Sequence, residues 1–179
     1  SALSTQLIQV FDNEDKRKSA WIGVATDQTV TPNVSYYYSS KYKVISSSAI
    51  TENSIVLRIA EQYLIRAEAR TQQGNLSGAI GDIDMIRARA GISLIKDINP
   101  NIDKESLLTL ILNERQRELF AEWGHRWLDL KRTKKIDEVM NVGAPTKGTT
   151  WDSRMQLWPL PLTETPANPN LNPNNPGYN

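Results

Sequence analysis

The chain has 179 residues, the length of one ordinary domain, with 21 Lys and Arg against 20 Asp and Glu and a formal net charge of +1. That balance lacks the basic excess that binding to duplex nucleic acid demands. At 39% hydrophobic and 23% charged, the composition supports a buried core, and no run approaches the ~18 consecutive apolar residues of a membrane span. Zero cysteines exclude disulfides, thiolate metal sites and cysteine nucleophiles, and a single histidine, His125, leaves no partner for a His-based metal site or a Ser-His-Asp triad.

In chain order, Ser4 is placed to cap a short helix that buries Leu7, Ile8 and Phe11 and ends by Asp12. Two strand-favouring runs follow, Trp21 to Ala25 and Tyr36 to Ile45, around a polar turn with Pro32 and Asn33; they predict an antiparallel hairpin. Val56, Ile59, Ala60, Tyr63, Leu64 and Ala67 then fall at steps of 3, 4, 7, 8 and 11 from the first, one continuous helical face that leaves Arg58, Glu61, Glu68 and Arg70 mostly off it. Gly74 stops that helix and Asn75 caps the next, whose apolar face is Leu76, Ala79, Ile80, Ile83 and Ile86, up to Gly91. The two helices form an αα-hairpin, with the small Ala67 and Ala79 at their crossing.

A second hairpin is expected downstream. Asp103 caps a helix carrying Leu107, Leu108, Ile111, Leu112, Leu119 and Phe120 to about Trp123, and after Gly124 a shorter helix runs from His125 to Met140. Two hairpins of roughly 34 to 37 residues suggest a tetratricopeptide-like array. Beyond about residue 141 the chain is proline-rich, with Pro159, Pro161, Pro166, Pro169, Pro173 and Pro176 making six of its nine prolines. Such a tail is extended or turning rather than helical. The expected fold is mainly α: tetratricopeptide-like hairpins over 55–140, a mixed segment with a small β hairpin over 1–54, and an extended tail over 141–179 packing on the same domain.

Ionisable groups concentrate in Glu114, Arg115, Arg117, Glu118, Glu122, Arg126, Asp129 and Arg132. Glu114, Glu118 and Glu122 are four apart and share one helix side. Glycoside hydrolysis needs two carboxyl groups facing each other across a bond, about 5–10 Å apart. Acids stacked along one helix face the same way, and their alternation with arginines reads as an ion-pair network. No catalytic residue is assigned, no phosphate-cradling glycine pattern or G-x-S-x-G is present, and neither a metal nor a cofactor is expected. His125 reads as a packing histidine at a helix start, Trp127 and Trp158 as packing residues, and Trp21 as a half-buried strand residue. Trp151 lies in a polar loop, and of the three consecutive rings Tyr36, Tyr37 and Tyr38 at least one must turn from any single core face. Exposed rings flanked by Asn, Asp and Ser are how proteins hold sugars, the ring covering C–H groups while polar groups bond hydroxyls. These four aromatics are the candidate ligand contacts.

Several ordered strings then resemble one family. LRIAEQYLIRAEAR at 57–70, Gly74-Asn75, Ala79-Ile80, IRARAG ending at Gly91, NERQRELFAEWGHRWLDLKRT at 113–133, LWPLP at 157–161, Asn168-Pro169 and NNPGY at 174–178 resemble the C-terminal part of the SusD/RagB family, as does Asp15-x-Arg17 with Trp21. Matching is weak only between about residues 25 and 50. The resemblance implies a non-catalytic, cell-surface outer-membrane lipoprotein that captures glycans, or sometimes peptides, as the lid of a SusC-like TonB-dependent transporter. It also implies that the chain is a C-terminal piece of a longer protein, with any lipid anchor outside it. Ser1 to Val10 lacks the layout of a secretory peptide, as that reading expects. A protein- or peptide-binding helical module without sugar affinity is the alternative.

Overall fold

The computed structural model describes residues 2–178 apart from 45, 47 and 50. It divides into two compact units, Ser1–Arg126 and Trp127–Asn179, a boundary that does not follow the compositional punctuation of the chain.

In the first unit, α1 (Thr5–Gln9) starts at Ser4, whose hydroxyl accepts the Leu7 N–H, and it buries Leu7. α2 (Lys16–Trp21) starts at Asp15, whose carboxylate accepts the Arg17 N–H at 2.9 Å. Trp21 therefore closes a helix rather than opening a strand. The hairpin comprises β1 (Ile22–Asp27) and β2 (Val34–Ser39), antiparallel, with Gly23 opposite Tyr38 and Val24 opposite Tyr37. β2 stops at Ser39, short of the expected run to Ile45, because Lys41 turns inward to bond the Glu118 carbonyl and Glu122. Ile45 itself lies outside the described residues.

The central hairpin is α3 (Ile59–Gln72) and α4 (Leu76–Ala90). Gly74 at φ 81° and Gly91 at φ 75° terminate the two helices in the left-handed region. Each ending carries the paired bonds of a Schellman motif, Asn75 N to Arg70 O and Ile92 N to Arg87 O. Ala60, Leu64, Ala67 and Thr71 form the buried stripe of α3. Val56 and Ile59, expected on that stripe, are 61% and 76% exposed, because the helix begins only at Ile59 and its inward face starts one residue later.

α5 (Ile95–Ile98) is a single turn whose first amides, on Ile95 and Lys96, are held by the buried Asp84 carboxylate. α6 (Lys104–Leu119) is capped by Asp103 and packs on α3 and α4. One core joins Ala67, Ala79, Ile83, Ile95, Leu107 and Ile111, and a second joins Ala60, Leu64, Ile86 and Leu119. α6 was expected to reach Trp123 but ends at Leu119. Phe120 leaves helical geometry so that its ring meets Phe11 edge-on at 5.8 Å, capping a third cluster with Leu7.

α7 (His125–Arg132) carries the boundary between the units, and α8 (Ile136–Gly143) follows it. The single helix expected over 125–140 is broken at Lys134, φ 57°, where Lys135 N bonds Leu130 O in the same pattern the glycines make. In the second unit Leu130, Ile136 and Ala144 are buried. The tail is mostly irregular and is tied by side chains: Asn174 accepts the Leu160 N–H, Asn175 donates to the Trp158 carbonyl, and Arg154 to the Gly177 carbonyl. Against the expectation of a non-helical tail, its described residues include one α-helical turn, α9 (Glu164–Ala167), and three 3-10 turns, Pro145–Lys147, Ser153–Gln156 and Pro169–Leu171. Pro166 fits in α9 because amides of a first turn have no intrahelical partner to lose.

Candidate functional site

Glu114 and Glu118 on α6 are 0% exposed, and cations from three other places, with Arg117 of α6 itself, converge on them. Arg17 of α2 holds Asp15 through Nε at 2.9 Å and Nη2 at 2.7 Å, and its Nη1 lies 2.7 Å from Glu114 and 3.1 Å from Glu118. Arg87 and Arg89 of α4 reach Glu114 at 3.2 Å and Glu118 at 2.5 Å. Arg58, ahead of α3, bonds Glu118 at 2.7 Å, and Arg117 closes on Glu114 at 2.9 Å. Burial alone would raise the Glu118 carboxyl, yet hydrogen bonds from Arg89 and Arg58 outweigh it and hold the group below its ordinary range. Burial likewise opposes the Arg17 charge, and Asp15 and Glu114 more than restore it. The three glutamates thus brace helices. Arg58, placed by its spacing mostly off the apolar helical face, is one of the struts.

Above this network lies a recess of about 250 Å³ lined by Trp21, Lys41, Tyr42, Asn53, Arg58 and Glu122 among others. Its floor is Glu122, which receives Lys41 Nζ, Arg58 Nε at 3.0 Å and Arg58 Nη2 at 3.1 Å. The Lys41 ammonium sits 4.7 Å from the Trp21 ring centroid and 4.2 Å from that of Phe120. Burial pulls its pKa down to about 8, with Glu122 only partly offsetting that cost. One side of the recess is the chain at Ile55. Its N–H donates to the Tyr42 hydroxyl at 2.9 Å, and its carbonyl accepts the Trp123 indole N–H at 3.3 Å. Glu52 further fixes the loop by accepting the Lys43 and Val44 amides, both at 2.8 Å. An aromatic and aliphatic wall over a few fixed polar groups is chemistry suited to a small polar ligand with an apolar face.

The aromatics singled out from the sequence are placed elsewhere. Tyr36 and Tyr38 share one face of β2, 48% and 42% exposed, while Tyr37 faces the other way and is half-buried. Tyr38 lies across Gly23, where a Cβ would come within 2.3 Å of its ring. Trp151, in the second unit, is half-buried: its indole N–H donates to Asp137 at 2.7 Å and its ring meets Trp127 edge-on at 6.0 Å. Asp137 also gathers Ser153 at 2.8 Å and Gln156 at 3.1 Å, and the Trp151 and Ser153 bonds hold its carboxyl below the ordinary value. Trp158, read as a packing residue, is 83% exposed. His125 opens α7 with Nδ1 3.7 Å from Glu61. Among the described residues no group of His, Cys, Asp and Glu could hold a metal ion, and no helix is long and apolar enough to cross a membrane. Nothing local in the sequence marks the recess, since its walls come from positions 21, 41, 42, 52, 53, 55, 58 and 122.

Comparison with known proteins agrees with this architecture. SusD-like protein P38 of Formosa agariphila is 40% identical over 145 residues, covering 76% of this chain and 27% of that protein. The starch-binding protein SusD of Bacteroides thetaiotaomicron is 31% identical over 146 residues, 79% of this chain and 24% of that protein. Among solved structures, B. fragilis NanU superposes with a TM-score of 0.65 at 25% identity, covering 97% of this chain and 38% of that one. The chain therefore spans about a quarter of the curated relatives it matches. Residues 9–178 match the sequence profile of the SusD family, and the chain belongs to that family.

Proposed function

We propose that the chain is the C-terminal region of a cell-surface glycan-binding lipoprotein, capturing oligosaccharides without breaking bonds and handing them to a SusC-like TonB-dependent transporter in the outer membrane. Family membership over residues 9–178 carries this reading; the starch named for one relative supports the ligand class. The burial of Glu114 and Glu118 in arginine pairs favours capture over hydrolysis, since neither acid can approach a glycosidic oxygen. Tyr36, Tyr37, Tyr38 and Trp151 are the aromatic contacts this reading offers outside the recess, with Tyr36 and Tyr38 the most accessible.

Affinity-gel electrophoresis of the chain in its full genomic reading frame, against a panel of plant, algal and host polysaccharides, tests the proposal. Retardation by at least one glycan, with no reducing ends released, is expected. Migration unaffected by every polysaccharide would remove the sugar assignment. Co-purification of a SusC-like transporter from the native membrane tests the partner, and its absence under gentle detergent would remove that part.

A further inference from the structure

We infer that the recess over Glu122 takes one uncharged sugar unit, with Trp21 and Tyr42 along its apolar side and the unit's hydroxyls on Glu122 and Asn53; this rests on the glycan-capture reading. Size is the first argument. About 250 Å³ falls below the ~300–1,000 Å³ of pockets for drug-sized ligands, which suits a single ring or chain end rather than several residues side by side.

Charge is the second. The recess holds two cations, Lys41 and Arg58, but both head groups are turned onto acceptors of the protein itself. Arg58 gives Nε and Nη2 to Glu122, Nη1 to Glu118 and Nη2 also to the Glu118 carbonyl at 2.8 Å. Lys41 gives Nζ to the Glu118 carbonyl at 2.7 Å and to Glu122. Glu52, also in the wall, adds a second negative charge, so Lys41 and Arg58 are balanced by Glu122 and Glu52. An acidic sugar's carboxylate would have to break one of these pairs and would face both acids, whereas a neutral sugar's hydroxyls can donate to the acids without displacing either cation. Glu122 can supply one. A carboxylate has about four lone-pair sites; Oε1 is used by Lys41 and Arg58 and Oε2 by Arg58 alone, leaving Oε2 able to take a hydroxyl. The cations hold that oxygen in place before a ligand arrives. Glu122 is thus a specificity-determining residue, and its neutralisation would reverse the charge preference of the recess.

Isothermal titration calorimetry tests this, using neutral gluco-, manno- and galacto-configured pentasaccharides and pentagalacturonate on wild type, Asn53→Ala and Glu122→Gln. Wild type is expected to bind a neutral probe and to bind pentagalacturonate at least about tenfold more weakly. Asn53→Ala, at an exposed rim position, is expected to weaken neutral binding about fivefold with an unchanged melting temperature, the loss of one hydrogen bond. Glu122→Gln is expected to weaken the neutral probe and to tighten pentagalacturonate about tenfold, an inversion that loss of packing would not produce. Titration should also shift the Trp21 indole N–H in ¹H–¹⁵N spectra. If wild type binds a neutral probe but Asn53→Ala binds equally well and the Trp21 signal stays put, the recess is not the site, while glycan capture stands. A wild-type preference for pentagalacturonate overturns the charge argument. Absence of binding to all probes and all polysaccharides overturns the glycan reading and the recess with it.

Discussion

Removing the charge of Glu118 gives the sharpest test of the ion network. In Glu118→Gln the shape is kept, but Arg17, Arg58 and Arg89 lose the carboxylate they share at 3.1, 2.7 and 2.5 Å. Arg89 is half exposed and can turn to water, and Arg58 keeps Glu122. Arg17 is buried and keeps Asp15 and Glu114. Breaking a buried pair costs about 3–5 kcal/mol when the partner is stranded, and the surviving partners put this variant near the lower end, about 3 kcal/mol. For a chain of this size that is a fall of about 6–12 °C in melting temperature, read by calorimetry at pH 7. Glu138→Gln, at a residue paired with Lys135 across solvent, is the control and should shift it by about 1 °C or less. The pH dependence has a sign. The native Glu118 carboxyl lies below its ordinary 4.5, so its contribution is full above that pH and is lost as pH falls through the native value. The gap between wild type and variant should therefore close in acid. A variant melting within about 2 °C of wild type at pH 7 would refute the bracing role.

Lys41 predicts a second rise of stability with pH, this time in base. With a native pKa near 8 against an ordinary 10.5, the unfolded chain binds more protons between those values, so stability should rise over that window by up to about 3 kcal/mol; Lys41→Met should flatten the rise in urea midpoints, and an unchanged slope would refute the assignment. Gly23→Ala places a methyl against the Tyr38 ring and should cost about 1–2 kcal/mol while turning that ring outward, visible as altered Tyr38 resonances. In the second unit, Trp127→Ala should destabilise by about 3–5 kcal/mol. A double-mutant cycle with Trp151→Ala should return a coupling of about 0.5–1.5 kcal/mol for their edge-on contact, whereas strict additivity would deny that the rings support one another.

The fold was legible wherever the chain punctuates itself with local chemistry. Ser4, Asn75 and Asp103 each accept the amide their position predicts, and Gly74 and Gly91 end their helices in the left-handed region. Where the same backbone move is made without glycine, as at Lys134, or where a distant ring decides the matter, as Phe11 does for Phe120, the boundary was misplaced. The alternation of Glu114, Glu118 and Glu122 with arginines announced a network, but only part of its membership. Arg17, Lys41 and Arg58 come from as many as 101 residues away, and no periodicity carries such information. The recess was illegible for the same reason. Trp151 looked free because its neighbours in sequence are polar; Asp137 and Trp127, which engage it, are 14 and 24 positions earlier.

Lys41 and Arg58 stand at the two ends of the 42–57 stretch, and both are fastened to Glu122. Glu122 is in effect a clasp at the neck of that connection. Since lengthening a closed loop costs only about 0.6 kcal/mol per doubling, its outer part can gain, lose or exchange residues while the clasp keeps the helices indifferent to the change. The sequence between the clasped ends is then free to diversify by loop replacement on an unaltered frame, and a segment grafted from a relative that keeps the three clasp residues should leave the melting temperature of the helices in place.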